Sequence, residues 1–393
     1  MARPRGHELS GHLVSVLFGE LMRILYDHQV VSLQNAGGAS RYVYELTAHL
    51  SRMPEVVVST VLGFNASSYP FHSLETTGAK VVSWGTAMKA GLKRYMVNEL
   101  LTTPYVARRR WDIYHPTLYR SMAFVRARRM VATHHDCVHE RFPELVTGRA
   151  RVIRAKRRLY NDADVIICIS ESSRQDLLDF YSIDTSKTRV IHHGVQPLPT
   201  CATAGRDLET QTRRPYALFV GARRGYKNFD ALLAAYHDTA LFKALDLLII
   251  GGAPLTAAES ELIKKLGLAG CVIHVQLASD ELLAEAYSKA RFLVYPSLYE
   301  GFGLPPIEAM AAGCPVVACR TSAMPEVCLD APFYFEPKDP SSLGRAIVNA
   351  NEDEDARRCA IQRGRDVAVT YSWAECANRT LAVYRDCCGE ATG

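Results

Sequence analysis

The chain has 393 residues, 48% hydrophobic and 22% charged, with 46 lysines and arginines against 41 acidic residues and a formal net charge of +5. That is the composition of an ordinary globular protein long enough for two domains, and it excludes a disordered or fibrous chain. No apolar run reaches the roughly 18 residues that span a bilayer, and the eleven cysteines include no CxxC pair, so they read as reduced cytosolic thiols rather than a disulfide framework or a zinc site.

In chain order, residues 12–18 form an apolar run too short to span a membrane, with Glu20 closing it and no small-residue cleavage site after it. Residues 1–21 therefore read as an extension or a start-site artefact ahead of Met22. Strands are predicted at Ile24–Tyr26, Val56–Leu62, Val81–Ser83, Ile113–His115, Met130–Thr133, Val165–Ile169 and Arg189–His192. The spacing predicts helices at Ser40–Ser51, Lys89–Val106, Arg149–Ala163 and Ser172–Tyr181. A stretch rich in Pro, Thr and charge then reads as a linker. The alternation resumes with strands at Tyr216–Val220, Leu245–Ile250, Val272–His274, Phe292–Tyr295, Val316–Ala318 and Phe333–Phe335. Helices follow at Phe229–Tyr236, Ala257–Leu266, Asp280–Ala290, Ile307–Ala312, Pro340–Asn351 and Trp373–Cys387. Two successive β/α halves imply an α/β protein of two doubly wound, Rossmann-like domains facing a cleft. The expected division is 22–200 for the first domain, 201–214 for the linker, 215–372 for the second domain and 373–393 for a final helix and tail.

The most informative stretch is EGFGLPPIE, residues 300–308. It lies between a buried strand and a helix. Gly301 and Gly303 allow close backbone approach and unusual dihedrals, and Pro306 suits a helix start, where no amide hydrogen is needed. A helix N-terminus after a glycine turn presents N–H groups and a positive dipole end to an anion such as phosphate. Glu300 and Glu308 would repel phosphate, so their natural partners are hydroxyl groups of a sugar or ribose, an ionised carboxylate being an acceptor only. A capped helix with a solvated first turn is the bland alternative.

These residues resemble the retaining glycosyltransferases of family 4, whose GT-B fold pairs two Rossmann-like domains and returns a C-terminal helix to the first. Their signature is two glutamates seven residues apart around a Gly-Phe-Gly-Leu-Pro turn. The resemblance runs from Met22 to about Asn378. FVGARRGYKN, residues 219–228, resembles the family's G-x-R-x-x-x-K-N segment, which implies Arg223 and Lys227 at the leaving diphosphate, with Arg224 as a competing arginine; a basic surface turn is the alternative. The segment from Gln34 to Leu46 resembles the GGxSRY branch and places Gly37 and Gly38 on the opposite wall. Residues 131–139, VATHHDCVH, resemble the T-x-H-D segment. That match implies a donor-sugar contact for His135, while His134, His135 and His139 also admit a metal reading. VIHHGV, residues 190–195, matches a turn at the end of the first domain, with His193 where Asn is usual. Residues 279–282, SDEL, match a helix start capped by Ser279, and the nucleotide base is expected near Val275–Leu277.

The resemblance implies a metal-independent hexosyltransferase without cofactor. It would move a sugar, with mannose the favoured type, from a GDP- or UDP-linked donor to a glycan, lipid-linked or small-molecule hydroxyl, with retention of configuration. Glu300 would hold the donor sugar, Glu308 the ribose, and the amides from Gly301 through Phe302 and Gly303 to Leu304 the sugar and diphosphate. A GT-B sugar-nucleotide epimerase or hydrolase is the first rival, and a non-catalytic membrane-surface or carbohydrate-binding protein the second. Charge is uneven: residues 1–200 hold 26 basic against 17 acidic side chains, residues 201–393 hold 20 against 24. Arg151, Arg154 and Arg158 share one helix face, which fits either an anionic membrane surface or a solvated helix. No recognition motif accompanies the basic segments, so nucleic acid is not an expected partner. The expected location is cytoplasmic, with attachment to the inner membrane face through those arginines.

Overall fold

A computed structural model describes residues 21–389, except 66, 78, 86–88, 90, 147, 197–211, 213, 224 and 277–278. The expected extension, most of the linker, Arg224 and Leu277 lie outside the described residues. The first sheet contains β1 (Met22–Tyr26), β2 (Val56–Gly63), β3 (Lys80–Ser83), β4 (Arg110–His115), β5 (Arg126–His134), β6 (Val165–Cys168) and β7 (Thr188–Val190). They pair in parallel in the order β3-β2-β1-β4-β5-β6-β7. The second sheet contains β8 (Tyr216–Val220), β9 (Asp246–Ile250), β10 (Val272–Val275), β11 (Phe292–Tyr295), β12 (Val316–Cys319) and β13 (Phe333–Phe335). Its order, β10-β9-β8-β11-β12-β13, repeats the pattern of the first. Helices cover both faces, so strands such as β8 and β9 are buried at every residue and read as continuous apolar runs. In each sheet the order reverses beside the first strand of the half, and the carboxyl ends there are where ligands bind in such folds.

All thirteen expected strands are present. The helix after the glycine turn differs: it runs Leu304–Ala311 and so starts earlier than expected, because Pro305 and Pro306 fit a first turn that needs no amide hydrogens. The helix Glu354–Ala368 went unexpected; its Gly364 packs against Met310 under the turn helix. Trp373–Cys388 returns to the first domain. Its Tyr384 hydroxyl meets Tyr26 at 2.6 Å and His115 Nδ1 at 2.5 Å, both at the carboxyl ends of their strands. A β-carbon on Gly194 would lie 2.1 Å from Trp373 N, so the VIHHGV glycine is required by the close approach of this helix.

Candidate functional site

The two domains meet through specific contacts around the glycine turn. The Ser170 hydroxyl donates to the Gly301 carbonyl at 2.6 Å, and a β-carbon on Gly301 would fall 1.9 Å from the His135 carbonyl oxygen. Gly301 is therefore packed against the loop after β5, and the close approach expected of a ligand is made by protein. Gly303 has φ 93°, and its missing β-carbon makes room for the Met324 methyl. The Phe302 ring is buried and turned to His193 and Tyr371, with ring centroids 5.1 and 5.5 Å away, which leaves the backbone as its means of meeting a donor. Leu304 lies 3.8 Å from the β-carbon position of Gly38, so the two glycine segments expected on opposite walls do face each other. Tyr299 enters the first domain, accepting from Cys137 N at 2.7 Å and donating to Asp176 at 2.6 Å.

Lys227 and Glu300 come together although they sit on different turns. Lys227 Nζ reaches Glu300 Oε1 at 2.5 Å and the Tyr295 hydroxyl at 3.2 Å, with the Tyr226 and Tyr295 rings beside it. The Tyr295 hydroxyl is held well above its usual range by burial and by Glu300, so it stays a neutral donor. The Glu300 amide is fixed by Ser322 Oγ at 2.8 Å. Asn228, at φ 57°, turns the chain into the helix Phe229–Asp238, a left-handed position Asn tolerates.

Arg223 is not brought to that pair. Its guanidinium contacts Glu259 at 2.8 Å and the carbonyls of Ala253 and Pro254 at 2.5 and 3.2 Å, and it is only 4% exposed. These contacts pin the turn after β9 next to Gly221 and Gly252.

Glu308 is buried and bound from two sides. Arg41, in the helix Gly38–Leu50 of the first domain, reaches it at 2.6 Å, and the Tyr287 hydroxyl donates at 3.2 Å. Arg41 also lies 3.5 Å from Asp280. Burial raises the Glu308 carboxyl, and Arg41 opposes that shift. Sequence reasoning assigned no role to Arg41 or Tyr287; the GGxSRY string itself was the available signal for the arginine.

His135 is buried, edge-on to Tyr42, and burial pushes it down to about 4, so it is neutral at pH 7. His134 bonds the Tyr160 hydroxyl at 2.7 Å, and Ser279 caps its helix through Leu282 N as expected. Among the described residues no three His, Cys, Asp or Glu side chains are grouped to hold a metal ion. Arg151, Arg154 and Arg158 are all exposed, with Arg158 3.7 Å from Asp162.

Burial also lowers His115 and His134 to about 3 and His193 well below its usual value. With His135 these make four histidines kept neutral in the fold, against about 6.5 in the unfolded chain. Their depressed pKa values give stability that is complete above about pH 6.5 and lost as pH falls toward 4. Each contributes up to ~1.4 kcal/mol per pH unit in that window. Glu45 and Glu308, raised by burial, work in the opposite sense and offset part of it. The thermal midpoint is expected to drop steeply between pH 6.5 and 4.5, and His193→Gln to flatten the slope; a pH-independent midpoint over that window would contradict the neutral cluster.

Comparison with known proteins follows the same lines. Residues 204–367 match the model for "Glycosyl transferases group 1" and residues 36–197 that for "Glycosyltransferase Family 4". The chain is 29% identical over 285 residues to O-antigen chain mannosyltransferase B of Escherichia coli, covering 70% of this chain and 74% of that one. It is 27% identical over 270 residues to the MMP alpha-(1->4)-mannosyltransferase of Mycolicibacterium hassiacum, covering 65% and 64%. Among solved structures, HepE from Anabaena in complex with UDP-glucose superposes with a TM-score of 0.72 at 17% identity, covering 93% of this chain and 100% of that one. Sucrose-phosphate synthase from Thermosynechococcus elongatus gives 0.70 at 20% identity, covering 94% and 100%. At those identities the solved structures speak for the fold.

Proposed function

Because the chain belongs to the family 4 glycosyltransferases of GT-B fold, we propose that it moves a hexose, mannose-like, from a nucleotide diphosphate sugar to a hydroxyl of a glycan or lipid-linked acceptor, with retention of configuration. The observation that carries the reading is the Lys227–Glu300 pair, at 2.5 Å, on the glycine turn that faces the His135 loop. Mannosyl transfer is what the names of two relatives state, and a UDP-sugar is what HepE holds.

In this reading Glu300 accepts from hydroxyls of the donor sugar, and Glu308, through acceptor capacity left beside Arg41 and Tyr287, from the ribose. Lys227 meets the diphosphate, where negative charge grows as the bond between the sugar and the phosphate oxygen breaks. That bond's electrons go to the leaving phosphate oxygen, which takes the acceptor's proton as the new glycosidic bond forms on the same face. Neutral His135 offers a hydrogen bond to the sugar. Arg223 acts one step back, by fixing the turn after β9. No helix among the described residues is long and apolar enough to cross a membrane. The exposed Arg151, Arg154 and Arg158 support contact with an anionic surface, each contributing about 1 kcal/mol there.

A thermal-shift panel of UDP-, GDP- and dTDP-sugars tests the donor, since a ligand that binds only the native state raises its midpoint. One nucleotide class is expected to stabilise the chain, and no shift from any of them would remove the proposal. Transfer is further expected to survive EDTA, because Lys227 and helix N-termini serve the leaving group. Activity lost on chelation and restored by manganese or magnesium would overturn this.

A further inference from the structure

The first domain carries an apolar groove of about 240 Å³ that the donor site does not use. Leu33, Leu92, Tyr95 and Leu118 wall it, and Arg120 and Arg151 also line it. Among the described residues that line it none is acidic. Glu99, one turn beyond Tyr95, is turned to His28 at 3.2 Å. Leu33 and Leu92 remain 45% and 48% exposed. Met96 and Leu100 continue the stripe along the helix Leu92–Ala107 at 63% and 75% exposure. Positions four apart share a helix face, so an apolar track leads out of the groove. A contiguous exposed apolar patch of this kind marks an interaction surface.

The inner end of the groove lies at the carboxyl ends of β1 and β4. Gln29, which lines it, bonds Asp27 at the end of β1. Tyr119, also in the lining, lies under Lys156 Nζ at 4.8 Å, and that ammonium donates to the Asp136 carbonyl at 2.7 Å, one residue from His135. An apolar track, two arginines and a packed contact with the His135 loop through the fully buried Lys156 together suit one kind of molecule. We infer that the groove binds the acceptor's lipid portion, an isoprenoid or acyl chain along Leu92, Met96 and Leu100, with its phosphate between Arg120 and Arg151. Arginine suits phosphate because its fork donates two parallel hydrogen bonds. This rests on the transfer reaction proposed above and names the class of its acceptor.

The test is calorimetric titration of the full chain with dodecyl phosphate below its micelle concentration, with the nucleotide-sugar thermal shift run on the same samples. Leu92→Asp and Arg151→Glu change exposed positions. Each is expected to weaken dodecyl phosphate about tenfold while leaving the nucleotide-sugar shift as in the wild type. Dodecyl maltoside, with the chain but no anion, should bind at least tenfold more weakly than dodecyl phosphate. Equal binding of dodecyl phosphate by wild type and both variants overturns the groove. Dodecyl phosphate binding that Arg154→Glu and Arg158→Glu, outside the groove, weaken as much as Arg151→Glu assigns the anion to the general basic face and also overturns it. A dimer that Leu92→Asp dissociates, with no probe bound, assigns it to a second copy of the chain. Absence of any nucleotide-sugar shift defeats the transfer proposal separately, whatever the probe does.

Discussion

Lys227→Ala and Glu300→Ala are each expected to reduce sugar transfer by on the order of a hundredfold or more, the usual loss when one preorganised charge-stabilising group is removed. The ammonium has three donors. One is committed to Glu300 and one to Tyr295, at 2.5 and 3.2 Å, which leaves the third for a phosphate oxygen. The pair holds the cation in place before substrate arrives, so its field is available when charge moves to the leaving group. Removing Glu300 takes away both the sugar's acceptor and the lysine's anchor. The two side chains are only 16% and 13% exposed, so each truncation leaves the other's charge unpaired and should lower the thermal midpoint while leaving the fold intact. Glu308→Ala should differ in kind. Ribose contacts persist in ground and transition states, so KM for the nucleotide sugar should rise with kcat less affected. Steady-state kinetics on the three variants make the comparison, and near-wild-type turnover in Lys227→Ala or Glu300→Ala would sink the site assignment.

Most strands were legible because both sheets are parallel and covered on both faces, so strands such as β8, β9 and β11 are short apolar runs bounded by polar turns. β5 starts earlier than the expected Met130 because its first half, with Arg126, Arg128 and Arg129, is polar and largely exposed. The helix Glu354–Ala368 was not legible, because the side it buries is Arg357, Ala360, Gly364, Val367 and Ala368. Small residues and an arginine make a poor apolar stripe, although Asp353, which caps Ala356 N, was a usable start signal. The turn helix starts at Leu304, ahead of the start that Pro306 alone indicates, because its first turn tolerates both Pro305 and Pro306.

In the site, the string EGFGLP announced itself, and pairing of Glu300 with Lys227 follows from parallel strands β8 and β11 lying side by side. What a string cannot carry is the partner from the other domain. Arg41 is 267 positions from Glu308, and nothing local to either residue indicates their ion pair. Arg223 shows the reverse limit. Its place after β8 is that of a phosphate ligand, but Glu259 and two carbonyls lie within reach and claim its donors.

Gly301→Ala is expected to cost transfer on the order of a hundredfold as well, by a different route. Its β-carbon would lie 1.9 Å from the His135 carbonyl oxygen and 3.2 Å from the Ile169 methyl. The first obstacle is backbone, at the end of a buried strand, and cannot swing away as a side-chain tip would. The turn and the loop must therefore separate, which strains the 2.6 Å bond from Ser170 to the Gly301 carbonyl. Misplacing reacting groups by about 1 Å is enough for a hundredfold loss. The Lys227–Glu300 pair lies wholly within the second domain and is untouched, so nucleotide-sugar affinity should hold within a few-fold while kcat falls. Gly303→Ala provides the contrast. At φ 93° an alanine is strained there, and the clash is with Met324 inside the second domain. Its main effect should thus be a lowered thermal midpoint. Kinetics, donor binding and melting on the two variants separate the cases: turnover at the wild-type rate in Gly301→Ala would show that contact between the His135 loop and the turn is dispensable for transfer.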